Sequence, residues 1–277
     1  MKWSIVVDSS CNGSAVEETE GVGFEKIPFV IQIGGRDYVD DGALDVAGMV
    51  AAMEACPQVG QTACPPPAAW YECFRKADRV IAVTISSRLS GSYASALAAR
   101  DMLLEEEPER NIFVLDSRSA GSALSLYVER ARALIGRGLE FDAVVRELEE
   151  YARHRHTAFA LASFQNLVKN GRVGRFTGLI AGKLGFWGLG AASPEGEIQV
   201  VGKVRGESRV IDSLVEGMRA HGFAGGTAVI SHCQNEAAAV RLRDRVLELW
   251  RDARVTLLPT GGLCSFYAER RGLILAY

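Results

Sequence analysis

Short apolar runs and longer amphipathic stretches alternate along most of the chain. Residues 5–7, 28–33, 79–85 and 111–115 are compact β-branched or apolar runs, which predict strands. Between and after them, residues 46–55, 66–77, 93–106, 123–135 and 141–155 carry helical patterning. Near-continuous apolar strands separated by helices predict a mostly parallel sheet covered on both faces. Several strands end in Asp/Ser turns: Asp8-Ser9-Ser10, Ser86-Ser87 and Asp116-Ser117. Ligands of open α/β sheets bind beyond the carboxyl ends of the strands, so the first half reads as a ligand-binding α/β domain.

The second half is patterned differently. Residues 157–162 read as a strand, followed by a helical stretch into Asn170-Gly171-Arg172. The glycine-rich apolar segment 178–190 contains Leu184, Phe186, Trp187 and Leu189. It reads as a buried helix pair or as the lining of a long apolar cavity, with core packing favoured. Ser193-Pro194-Glu195-Gly196-Glu197 is a strong turn, and residues 198–204 form the return strand of a hairpin. Helices at 209–220 and 236–250 then alternate with strands at 227–232, 255–258 and 273–276. These patterns predict two α/β domains, 1–155 and 156–277.

Composition narrows the function classes. The 277 residues are 48% hydrophobic and 23% charged, which excludes disorder, collagen-like repeats and coiled coil. A net charge of −3 supplies no global basic field, so nucleic acid is not an expected partner. No apolar run reaches the roughly 18 residues of a membrane helix, so no integral membrane segment is expected. The apolar start Trp3-Ser4-Ile5-Val6-Val7 is too short for a signal-peptide core. Six cysteines without a C-x-x-C pair read as reduced thiols, which predicts a cytoplasmic protein.

Three motifs could carry chemistry. Leu89-Ser90-Gly91-Ser92-Tyr93-Ala94 follows a strand and opens a helix. It serves either as an anion site at the positive helix end or as a plain N-cap. Thr62-Ala63-Cys64-Pro65-Pro66-Pro67 precedes a helix, where the prolines could do no more than start it. Gly171-Arg172-Val173-Gly174-Arg175 sets two guanidiniums among glycines, a suitable grip on a carboxylate or an ordinary solvated turn. Asp8 and Asp116 read as turn builders, and Arg153-His154-Arg155-His156 as a charged helix end. No nucleophile elbow, Walker lysine loop or G-x-G-x-x-G follows the first strand, and no metal or cofactor is expected.

Taken in order, these residues resemble the DegV family of bacterial fatty-acid-binding proteins. The matches are Val7-Asp8-Ser9, Ile27-Pro28, Tyr38-Val39-Asp40, Thr62 with Pro65, Leu115-Asp116-Ser117, Lys169-Asn170-Gly171-Arg172-Val173 and Gly202-Lys203-Val204-Arg205. The most specific is Ile85-Ser86-Ser87-Arg88-Leu89-Ser90-Gly91-Ser92-Tyr93-Ala94-Ser95-Ala96. The resemblance implies one long-chain fatty acid clamped between two α/β domains, its tail in the C-terminal one. It also implies a carrier that presents the acid to a fatty-acid kinase, and no catalysis of its own. The implied ligand residues are Thr62, Ser90, Gly91, Ser92, Arg172 and Thr260.

Three departures accompany the match. The family's T-S-Q-P-S stands as Thr62-Ala63-Cys64-Pro65-Pro66, and its I-K-P as Phe186-Trp187-Gly188. The C-terminal H-x-G-P-G is replaced by Thr260-Gly261-Gly262-Leu263-Cys264, which predicts weaker hand-over to a kinase. The competing reading is an acyl hydrolase or transferase with Ser90 as nucleophile; it lacks a motif-level base.

Overall fold

Every residue of Trp3–Asp8 (β1) is buried, because this run lies inside a sheet covered on both faces. The computed structural model describes residues 2–13, 21–173 and 185–277. After β1 come Val22–Ile27 (β2), Val30–Ile33 (β3), Arg36–Val39 (β4), Val46–Ala55 (α1), Gln61–Ala63 (β5) and Pro67–Phe74 (α2). Arg79–Thr84 (β6), Ser92–Glu106 (α3), Asn111–Asp116 (β7), Ser122–Gly136 (α4) and Phe141–Arg153 (α5) complete the first half. The first sheet has the order β2-β1-β6-β7, and all its pairings are parallel.

The strand expected at 28–33 is not part of that sheet. The edge beside β1 is taken by β2, whose mixed sequence Val-Gly-Phe-Glu-Lys-Ile suits a half-covered edge strand. At Pro28 the chain has no N–H to continue a ladder, and it turns away. β3 instead forms a small antiparallel sheet, order β4-β3-β5. Ile31, Ile33, Met49 and Val50 from this excursion pack with Phe159, Phe164 and Phe266 of the second half.

The second half contains Thr157–Leu161 (β8), Gln165–Lys169 (α6), Phe186–Ala192 (β9), Ile198–Arg205 (β10) and Glu207–Ala220 (α7). Thr227–His232 (β11), Glu236–Leu249 (α8), Arg254–Pro259 (β12), Gly262–Ala268 (α9) and Leu273–Ala276 (β13) follow. Its sheet is mixed, order β10-β9-β8-β13-β11-β12, with β11 and β12 the parallel pair. Residues 186–190 of the glycine-rich segment lie in β9 rather than in a helix pair. Gly190 leaves room for the Phe159 ring, and a Cβ there would also stand 2.9 Å from the Gln199 carbonyl oxygen. Residues 178–184, including Leu184, lie outside the described residues.

Helix α4 is the piece that both sheets share. Leu124, Leu126, Tyr127, Val128, Ala131 and Leu134 are buried in one cluster with Ile5, Val7 and Ile81 on one side and Val229 and Ala276 on the other. A helix apolar almost all round belongs in such a position. Its buried hydroxyls are satisfied locally: Ser122 Oγ meets Ser231 Oγ at 2.7 Å, and Ser125 Oγ donates to the Asn12 carbonyl at 2.7 Å. Among the described residues no helix is long and apolar enough to cross a membrane.

Candidate functional site

The loop from β6 to α3 carries Leu89, Ser90 and Gly91, and it is anchored from below by Asp8 at the end of β1. Asp8 is fully buried and accepts from the Ile85 amide at 2.9 Å and from Ser92 Oγ at 2.7 Å, with Ser10 as a further donor. Burial pushes its carboxyl above the usual range, while these hydrogen bonds pull it back. Ser86 Oγ reaches across to the second half and donates to the Gly196 carbonyl at 2.7 Å.

Arg172 is delivered by a helix ending. Gly171 has φ 71°, the left-handed conformation that terminates a helix, and the Gly171 and Arg172 amides cap α6 at Val168 and Leu167. The guanidinium then donates through Nε to the Leu89 carbonyl at 3.3 Å and through a terminal nitrogen to the Asn170 carbonyl at 2.5 Å. Asn170 also ties this turn to the β5 region by donating to the Gly60 carbonyl at 3.2 Å.

Thr62 lies on β5, and its Oγ1 is 2.9 Å from the hydroxyl of Tyr267 on α9. The start of α9 is held by Asp40, whose carboxylate accepts from the Gly262 amide at 2.6 Å and the Leu263 amide at 2.8 Å. A Cβ at Gly262 would come within 2.7 Å of Asp40 Oδ1, so this close approach requires glycine. Burial pushes the Asp40 carboxyl up, and the Leu263 amide is the strongest of the donors opposing that shift.

These pieces enclose a cavity of about 1010 Å3, its open mouth included. Phe29, Ile85, Phe159, Leu161, Leu263 and Ile274 form apolar wall. Thr62, Ser90, Gly91 and Arg172 line it together, and Ser90, Gly91 and Arg172 also face a shallow hollow outside. Among the described lining residues Arg172 is the cation and Glu197 the carboxylate. Cys64 and Cys264 line it too; burial drives the Cys264 thiol far above its ordinary range, so it is neutral.

Two expected ligand residues are placed elsewhere. Ser92 does not line the cavity, because its hydroxyl is committed to Asp8 beneath the loop. Thr260 is also absent from the lining: it is buried, donating to the His232 carbonyl at 3.2 Å and sharing a 2.7 Å hydrogen bond with Ser265 Oγ. Conversely, the sequence reading missed Tyr267, whose helix α9 is short and follows two glycines without a periodic signal. No histidine lines the cavity among the described residues. His154 pairs with Glu150, His156 stacks on His221, and His232 caps the Asn235 amide.

A family model described as an uncharacterised protein of the DegV family matches residues 2–275. A DegV domain-containing protein of Streptococcus pyogenes serotype M3 is 37% identical over 278 residues, covering 100% of this chain and 99% of its own. Among solved structures, the Streptococcus pneumoniae fatty acid kinase (Fak) B3 protein loaded with linoleic acid is similar at TM-score 0.97 and 36% identity, covering 100% of this chain and 99% of that one. A DegV family protein of Eubacterium eligens loaded with heptadecanoic acid is similar at TM-score 0.94 and 34% identity, covering 99% of this chain and 98% of that one. Sequence motifs, fold and full-length similarity agree: the chain belongs to the DegV family.

Proposed function

We propose that this chain binds one long-chain fatty acid in the cavity, with its carboxylate at Thr62, Ser90, Gly91 and Arg172 and its tail along the apolar wall. The observation that carries this reading is the distribution of polar groups: an apolar chamber whose cation, among the described lining residues, is Arg172, where the wall meets the outer hollow. A carboxylate cannot be buried unpaired, so it is drawn to Arg172 and away from Glu197. A tail of roughly 14 to 16 methylenes gains about 11–13 kcal/mol gross on burial. Association and ordering offset part of that gain, and the head group sets the orientation.

In this reading the domains are 1–155 and 156–277, with the β3–β5 excursion of the first packed on the second. The protein acts as a carrier in the cytoplasm, presenting the acid to a fatty-acid kinase. The similarity to a protein named for that kinase system supports the partner. The six free cysteines support the compartment. The hydrolase reading for Ser90 is disfavoured, since no histidine base lines the cavity among the described residues.

The test is mass spectrometry of lipid extracted from the purified protein, alongside an ester-hydrolysis assay. Stoichiometric long-chain acid without ester turnover is the expected result. Lipid-free protein that binds no added acid, or steady ester turnover that depends on Ser90, rejects the carrier reading.

A further inference from the structure

We infer that Tyr267 is a head-group residue, acting with Thr62 as a coupled hydroxyl pair that keeps one O–H proton free for the carboxylate. This rests on the fatty-acid reading of the cavity and adds a residue to it. Both side chains line the cavity, and their oxygens are 2.9 Å apart. Either hydroxyl can be the donor between them. Each has one proton, so whichever donates, the other retains an uncommitted proton at the cavity wall.

The surroundings hold that pair in place. The Tyr267 ring stands edge-on to Phe266, with centroids 4.9 Å apart, and Asp40 fixes the first turn of the same helix. The Arg172 guanidinium lies 6.0 Å from the Tyr267 ring centroid, on the face where cations are attracted. Two backbone carbonyls, of Leu89 and Asn170, orient Arg172 and leave other N–H groups for a ligand. One cation and one free hydroxyl proton therefore converge on the same part of the wall. This also accounts for the C-terminal loop: Thr260 is turned into the protein, and the same loop-and-helix segment brings Tyr267 to the cavity instead.

The pair makes a specific pattern of losses. If one hydroxyl is removed, the other still has a proton to donate, although nothing now orients or polarises it. If both are removed, the carboxylate loses this donor altogether. Tyr267→Phe and Thr62→Val are each expected to weaken acid binding about threefold, and the double variant roughly thirtyfold, more than the product of the singles.

The experiment is titration of the delipidated protein with tetradecanoic and octadecanoic acids. A head-group role gives Tyr267→Phe the same fold-loss for both acids, whereas a tail-packing role makes the loss depend on chain length. Wild-type affinity in Tyr267→Phe, together with a double variant no weaker than Thr62→Val, overturns the inference while leaving the fatty-acid reading intact. A loss that changes with chain length overturns it as well. If the unaltered protein binds neither acid, the reading of the cavity falls, and this inference with it.

Discussion

Ser92 Oγ donates to Asp8 Oδ2 at 2.7 Å, joining two motifs that lie 84 residues apart in the chain. Asp8 also takes the Ile85 amide, so one carboxylate holds both ends of the loop that carries Leu89, Ser90 and Gly91. The serine nearest the helix thus serves the loop from beneath, and its neighbour Ser90 faces the cavity. The Asp/Ser turn at the end of β1 is a support for the cavity-lining loop and not a simple chain reversal.

Asp8→Asn removes an acceptor and puts an amide donor among groups that already donate. The expected cost is about 1–3 kcal/mol of stability, because buried donors lose their acceptor. Loss of bound acid should accompany it, as the loop no longer holds Ser90. Urea unfolding and lipid retention by mass spectrometry check both; an unchanged midpoint with full retention rejects the clamp.

Ser90→Ala is expected to weaken acid binding by about 1–3 kcal/mol, since a charge-assisted donor is lost. Stability should fall too, because Ser90 Oγ accepts from the Ser92 amide at 3.2 Å at the start of α3. Loss of one such neutral hydrogen bond costs about 0.5–1.5 kcal/mol. Binding titration and thermal unfolding separate the two effects. Equal acid retention by variant and parent removes Ser90 from the site.

Gly196→Ala should loosen the contact between the halves. Gly196 has φ 89°, and a Cβ there would sit 2.8 Å from Arg118 Cα as well as against Ser86 Oγ. The strained conformation alone costs about 1–3 kcal/mol. The expected outcome is a lower unfolding midpoint together with weaker acid retention, since Gly196 and Ser86 stitch the wall closed. A parent-like midpoint sinks this reading of the turn.

His156 stacks on His221 with centroids 4.4 Å apart, and its pKa lies below the usual 6.5, first through burial and then through His221 and Arg155. The unfolded chain takes up that proton more readily than the folded one. This contribution to stability is therefore complete above about pH 7.5 and is lost as pH falls through 6.5 and below. His232, also depressed by burial, acts in the same direction. The unfolding midpoint should drop between pH 8 and 5.5, and His156→Phe should reduce that slope while keeping the stack. An undiminished slope in the variant rules His156 out as its source.

The sequence by itself determined the local elements and the chemistry they carry. β1, β6 and β7 were legible because a strand buried on both faces is apolar at nearly every position. Gly171 was legible as a turn, and the run around Ser90 as a helix start, because both depend on neighbours within a few residues. Apolar periodicity reports only such short-range relationships. The tertiary structure decided the rest. Nothing local says that β2 takes the sheet edge while β3 leaves it, since edge position depends on which strand arrives beside β1. Thr62 meets Tyr267 across 205 residues, and Asp40 meets the Gly262 amide across 222. Whether a serine faces the cavity or a buried carboxylate, as Ser90 and Ser92 respectively do, depends on what the folded chain places beneath the loop. A hydroxyl reads the same in either role until the polar partner that burial requires is in position.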